Sequence, residues 1–137
     1  MILDTSALAA IFFAEAEADR FLRIIHDSSL NRISAASFVE LFMVIESQLG
    51  ADASRQCDTF LRRADVLIEP VTAEQAFTAR QAFLDFGKGR HPAGLNFGDC
   101  FAYALARVTS EPLLFKGADF LKTDIQSADP DQDPAAG

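Results

Sequence analysis

Tryptophan is absent, tyrosine occurs once and cysteine twice, and acidic residues outnumber basic ones by 20 to 12. Cys57 and Cys100 do not make a disulfide framework, and no second Cys/His pair accompanies them. A zinc site is therefore a weak reading, and free thiols in a reducing compartment are expected. The formal net charge of −8 excludes nucleic-acid binding through the overall field of the protein. Any contact with a polyanion has to be local, through a small basic patch or through cations that invert the sign of an acidic pocket. No apolar run approaches the ~18 residues of a membrane span. The start, Met1-Ile2-Leu3-Asp4, has no basic region and meets an acid at once, unlike a signal peptide. A soluble cytoplasmic protein is expected. Phosphate loops of the G-x-x-x-x-G-K-[ST] and G-x-G-x-x-G kinds are also missing.

What remains is a chain of 137 residues, half of them hydrophobic and 13 of them phenylalanine. That suffices for one domain with a continuous core. Residues 1–127 read as that domain. The stretch 128–137, with Asp129, Asp131, Asp133 and two prolines, reads as a disordered acidic tail. Ile2-Leu3, Arg32 to Ala35, Val66 to Pro70 and Leu113 to Phe115 read as short strands, with a further edge strand starting near Thr123-Asp124-Ile125. Helical spacing follows Asp4, runs from about Ala16 to His26, from Ser37 to Leu49, and from Ala53 to Ala64. It recurs from Thr72 to about Phe86, with Ala76, Ala79 and Phe83 inward, and from near Gly98 to Thr109. Three glycines and a proline make residues 87–94 a loop. Alternating strands and helices predict an α/β sandwich whose short, mainly parallel sheet is covered on both faces.

Several carboxylates do not fit structural roles well. Sites in open α/β sheets form beyond the carboxyl ends of the strands. Asp4 ends the first strand and Asp119 lies just after the fourth. Either could be a helix cap or a turn residue. Glu40 is flanked by Phe38, Val39, Leu41 and Phe42, and no Lys or Arg occurs between Arg32 and Arg55. A carboxylate in such surroundings costs several kcal/mol without a partner; a cation is a better account than a distant ion pair. Asp99 opens a helix, where the dipole favours it. Together, acids at two strand ends, inside an apolar helix and at a helix start repel one another unless a cation holds them. Oxygen donors select Mg²⁺ or Mn²⁺. With no nucleophile–base pair evident, metal-assisted hydrolysis of a phosphodiester is the expected chemistry.

The segments Met1-Ile2-Leu3-Asp4-Thr5-Ser6-Ala7, Ala36-Ser37-Phe38-Val39-Glu40, Leu95 to Cys100 with Tyr103-Ala104-Leu105-Ala106, and Leu113 to Gly117 before Asp119-Phe120 and Thr123-Asp124, in that order, resemble PIN-domain ribonucleases. The nearest group is the VapC toxins of bacterial toxin–antitoxin pairs. The resemblance covers about residues 1–126. It implies a PIN-like three-layer α/β/α sandwich and a Mg²⁺- or Mn²⁺-dependent endoribonuclease. It also implies a homodimer that a cognate VapB antitoxin inhibits by placing a segment near the acidic pocket. By position Asp4, Glu40 and Asp99 match the family's acids, Asp119 matches a more variable fourth, and Thr5, Ser6 and Asn96 match polar residues that orient acids or water. Relatives often carry Gly-Asp-Asp-Phe where this chain has Gly117-Ala118-Asp119-Phe120.

Other readings compete. An aspartate-nucleophile phosphatase also starts with a strand and an Asp, but wants a second Asp where Ser6 stands. A catalytically weak PIN-like scaffold that only binds its antitoxin is the non-enzymatic alternative. Lys88, Arg90 and Lys116, near Asp99 and Asp119 in sequence, are candidate RNA contacts as a group. Asp119 is preferred to Asp124 as the fourth ligand, because Phe120 anchors its turn, whereas Asp124 is expected to accept local backbone N–H groups. The phenylalanine surplus predicts spare apolar surface for a dimer and an antitoxin groove, with Phe38–Phe42 and Phe60 part of the latter.

Overall fold

The computed structural model describes residues 1–132. Four strands, β1 (Ile2–Leu3), β2 (Arg32–Ser34), β3 (Leu67–Glu69) and β4 (Leu113–Leu114), form a parallel sheet in the order β3-β2-β1-β4. Six helices connect and cover it: α1 (Thr5–Phe12), α2 (Ala18–Asp27), α3 (Ala35–Leu49), α4 (Ala51–Arg63), α5 (Ala73–Phe86) and α6 (Phe97–Thr109). Among the described residues, no helix is long and apolar enough to cross a membrane.

Successive strand residues point to opposite faces of a sheet, and the two cores follow from this. Leu3, Ile33 and Leu114 pack with α1 to α4, including Phe21, Leu41, Ile45 and Leu61. Ile2 and Leu113 pack with α5 and α6, including Ala79, Ala102, Tyr103 and Leu105. The three-layer α/β/α expectation therefore holds, with four helices on one face and two on the other. Helix boundaries have local causes. The Ser34 hydroxyl accepts the Ala36 N–H at the start of α3, and Gly50 ends that helix at φ +91°, a conformation L side chains rarely adopt.

The structure differs from the sequence reading in three places. Along α5 the inward residues are Gln75, Ala79 and Ala82, while Ala76 and Phe83 face outward. α5 packs on α6, and alanines on that face let the two helices approach closely. The Phe83 ring instead lies under the Arg90 guanidinium, 5.8 Å from its centroid. Second, no strand forms at Thr123–Ile125; Phe120–Lys122 is a short 3-10 turn, and it is Ser127 that bridges to Leu113. Leu113 N–H donates to Gln126 O (3.0 Å) and Ala128 N–H to Leu113 O (2.8 Å), extending the sheet edge.

Third, the start of the expected acidic tail is packed. Asp129 is wholly buried. Its Oδ2 accepts from Arg20 Nε (3.1 Å) and Nη2 (2.9 Å), and its Oδ1 from Asp131 N–H (3.0 Å). Composition cannot reveal that one arginine, 109 residues away, neutralises this acid. The rest of that tail, 133–137, lies outside the described residues. Removing one partner of a buried pair strands the other's charge. Arg20→Ala should therefore cost about 2–3 kcal/mol of stability, measured by urea denaturation at neutral pH. A loss within ~0.5 kcal/mol, the range of an ordinary surface substitution, would mean that Asp129 is held by its backbone contacts alone.

Candidate active site

The carboxyl ends of β1, β2 and β4 point to one edge of the sheet, and the chain leaves each strand through a residue that shapes that edge. Asp4 follows β1 directly and is 4% exposed. It caps α1: its Oδ2 accepts Ser6 N–H at 3.0 Å and the Ser6 hydroxyl at 2.5 Å. The same hydroxyl oxygen accepts Lys116 N–H at 3.0 Å, just past β4. Ser6 thus joins the ends of two neighbouring strands to one carboxylate. Thr5, also buried, donates its hydroxyl to Ser37 O in α3 at 3.1 Å, which fixes the helix carrying Glu40 against α1.

Asp99 sits in the first turn of α6 within a reciprocal cap. Asn96 Oδ1 accepts Asp99 N–H at 2.9 Å, and Asp99 Oδ2 accepts Asn96 N–H at 3.0 Å. This satisfies two backbone donors of the helix start and sets the direction of the carboxylate. Among the described residues, the hydrogen bonds to Asp4 and Asp99 all fall on Oδ2, so Oδ1 of each is unengaged.

Glu40 lies in the second turn of α3, half-buried and without an ion pair among the described residues. Its carboxylate crosses to the start of α6 and rests on Gly98. A Cβ at position 98 would stand 2.2 Å from Glu40 Oε2 and 2.8 Å from its Cδ. Only glycine leaves that space. Gly98 had no assigned role in the sequence reading. The available signal was a glycine in the first turn of a helix, where every residue but proline has better propensity.

The electrostatics tie these groups together. Burial pushes Asp4 up to about 6, the Ser6 hydrogen bonds oppose this, and the charges of Asp99 and Glu40 add to the rise. Asp99 is also raised, first by burial, against the Asn96 N–H, and then by Glu40 and Asp119. Asp119 is exposed, at the start of the 3-10 turn anchored by buried Phe120. Asp99 and Glu40 thus bear on Asp4, and Glu40 and Asp119 on Asp99, and no cation appears among the causes of either shift. Asp124 is turned away: it accepts the Tyr103 hydroxyl at 2.6 Å and pairs with Arg107 at 3.4 Å. The expectation that local backbone N–H groups hold Asp124 is corrected by these side-chain partners.

Among the described residues, no group of three or more His, Cys, Asp or Glu side chains is arranged so that it could hold a metal ion. The donor set is nonetheless all oxygen, partly desolvated, uncompensated and open on the Oδ1 side, which fits a hard divalent cation that keeps waters of its own. The thiols are elsewhere in character: both are buried, Cys57 pushed up to about 11 and Cys100 also raised, chiefly by burial. Of the basic residues, Lys88 and Arg90 are exposed in the loop before α6. Lys116 is not free, because its ammonium is paired with Glu15 and with Glu17, the latter at 3.2 Å.

A family model described as PIN domain matches residues 1–126. Ribonuclease VapC of Mycolicibacterium smegmatis is 48% identical over 125 residues, covering 91% of this chain and 97% of that protein. Ribonuclease VapC30 of Mycobacterium tuberculosis is 47% identical over 125 residues, covering 91% and 95%. Among solved structures, VapC20 of Mycobacterium tuberculosis, described as a sarcin-ricin-loop-cleaving toxin, matches with a TM-score of 0.74 at 19% identity, over 90% of this chain and 95% of that one. A chain of a toxin–antitoxin complex from Klebsiella pneumoniae matches with a TM-score of 0.68 at 17% identity, over 90% and 92%. These two likenesses establish the fold.

The raised Asp4 has a consequence for stability. Its folded value, about 6, lies above the ordinary 3.8. Between these values the unfolded chain ionises first, so this group's contribution falls as pH rises through that window. Above it the full penalty is about 3 kcal/mol. Asp4→Asn keeps an acceptor for Ser6 and removes the penalty. In EDTA, urea denaturation should find Asp4→Asn more stable than wild type at pH 7.5, with the difference falling from about pH 6 and vanishing by about pH 3. A difference independent of pH would remove Asp4 from the repulsive cluster.

Proposed function

The chain belongs to the PIN-domain family, and from that premise we propose that it is a metal-dependent endoribonuclease of the VapC kind, acting in the cytoplasm and held in check by a cognate VapB-type antitoxin. The observation that carries this reading is the uncompensated repulsion among Asp4, Glu40 and Asp99 at the carboxyl edge of the sheet. The names of its close relatives, ribonucleases VapC, supply the reaction class. Asp4, Glu40 and Asp99 would hold Mg²⁺ or Mn²⁺, with Asp119 peripheral and acting through water. A metal held there would screen the phosphodiester's charge and lower the pKa of water, so that hydroxide is available to attack phosphorus. Ser6 holds Asp4, Thr5 holds the helix of Glu40, and Asn96 holds Asp99. Lys88 and Arg90 remain candidates for the RNA phosphates. An aspartate-nucleophile phosphatase is disfavoured, because the residue two beyond Asp4 is a serine whose hydroxyl is already donated to that carboxylate.

Partners follow from the apolar surface. Val39, Met43, Phe83, Leu84 and Phe97 are all exposed, Phe97 at 81%. Two adjoining grooves, of about 640 and 550 Å³, share Phe97 and Phe101 across α3, α5 and α6. Contiguous apolar area of this kind marks an interface, and we assign it to a two-fold homodimer. Phe38 and Phe42 do not share a groove with Phe60, which lines a separate cavity of about 550 Å³ with Leu22 and Arg63 between α2 and α4. That cavity is the proposed antitoxin contact. The Klebsiella structure is itself a toxin–antitoxin complex.

Cleavage of an RNA panel should require Mg²⁺ or Mn²⁺ and stop in EDTA. Asp99→Asn should lower it by on the order of 10²–10³-fold, and Asp119→Ala by about tenfold. Gly98→Ala should fold at least as stably as wild type, since alanine is the better helix former by ~1 kcal/mol. It should still lose activity, because its methyl displaces the Glu40 carboxylate. Metal-independent cleavage, or full activity of Asp99→Asn, would overturn the site. In sedimentation experiments at micromolar concentration, wild type should be dimeric and Phe97→Glu monomeric; a monomeric wild type would remove the dimer.

A further inference from the structure

Lys116 occupies an unusual position. Its backbone N–H donates to the Ser6 oxygen that in turn donates to Asp4. Its side chain runs the other way, to the turn between α1 and α2, where Glu15 and Glu17 both pair with the ammonium. Glu17 Oε2 is buried and has no hydrogen-bond partner of its own, so the lysine is the neutralising charge it faces. Residue 117 follows with φ +96°, and Asp119 two residues later. The segment from Lys116 to Asp119 is therefore tethered at its start by one side chain and one amide. We propose that Lys116 is a positioning residue: clamped by Glu15 and Glu17, it holds the Ser6–Asp4 chain and the Asp119 turn in place, and does not bind RNA.

This rests on the ribonuclease reading for its activity arm, so an arm free of activity accompanies it. Two physical roles are opposed. A lysine that contacts phosphate contributes to substrate binding, and the two glutamates beside it only weaken that contact. A clamped lysine contributes geometry, and the glutamates are its necessary partners. Outer residues that orient ligands commonly alter activity by about 10- to 100-fold when removed.

The variants are Lys116→Met, Lys116→Arg and the pair Glu15→Gln/Glu17→Gln, in the full chain. Under the proposal, Lys116→Met lowers kcat by about tenfold with KM for RNA unchanged. Lys116→Arg restores most of the loss, and Glu15→Gln/Glu17→Gln lowers kcat in the same way. Combining Lys116→Met with the glutamate pair then adds little, as expected for one interacting unit. Without RNA or metal, hydrogen–deuterium exchange should rise across residues 115–119 in Lys116→Met and in the glutamate pair, and stay unchanged in α5. A raised KM with kcat intact in Lys116→Met, or faster cleavage by the glutamate pair, would return Lys116 to the RNA. Unchanged exchange across 115–119 would overturn the clamp even if no RNA in the panel is cleaved.

Discussion

Everything at the carboxyl edge of this sheet depends on acids that bear on one another, Asp4, Glu40 and Asp99, with no basic side chain paired to any of them among the described residues. Asp4 cannot move away, because its backbone leaves β1 and its side chain caps α1. Asp99 is fixed by the reciprocal bonds with Asn96, and Glu40 by the helix that Thr5 holds in place. Like charges so constrained raise one another's proton affinity, and the fold bears that cost at neutral pH. A protein of net charge −8 can approach an RNA strand at this edge only if the local sign is inverted. A divalent cation, as proposed for this edge, would relieve that repulsion.

Supporting that arrangement are groups that each do two things. The Ser6 hydroxyl donates to Asp4 and accepts from Lys116. The Asn96–Asp99 exchange ends the exposure of backbone donors at the start of α6 and at once aims a carboxylate. Such double use explains why a site can be built from a strand of two residues, β1. The strand supplies direction, and the hydrogen bonds just beyond it supply position.

Much of this was legible in the sequence because it is local or ordered. Short apolar runs alternating with helical spacing gave a short parallel sheet covered on both faces, Glu40 stood out for want of nearby cations, and Asp4 and Asp99 for their places at a strand end and a helix start. The failures were contacts between distant segments. Composition made Asp129 a solvated tail acid, but Arg20 reaches it across the fold. Periodicity put Phe83 inward, but alanine contact between α5 and α6 rotated it out. Charge alone made Lys116 a candidate phosphate contact, and its ion pairs with Glu15 and Glu17 lay equally beyond any spacing rule. In each case the deciding partner lies far along the chain or in an irregular turn, where no spacing rule applies.

The same contrast separates the two sides of the acidic edge. On the side of α3 and α6, Glu40 approaches through a space that exists only because residue 98 is glycine, and the surface beyond is apolar and open. On the side of β4 and the α1–α2 turn, the surface is an ion-paired set of Lys116, Glu15 and Glu17, with Arg20, Asp129 and Asp131 alongside. The apolar side keeps its hydrophobic surface free for another protein. On the ion-paired side Arg20 and Lys116 are engaged by acids, while Lys122, just after Asp119, is exposed and without an ion pair among the described residues. Exposed cations thus flank the acids on both sides, Lys88 and Arg90 in the loop before α6 and Lys122 after Asp119, and under the ribonuclease reading either set is placed to meet phosphate.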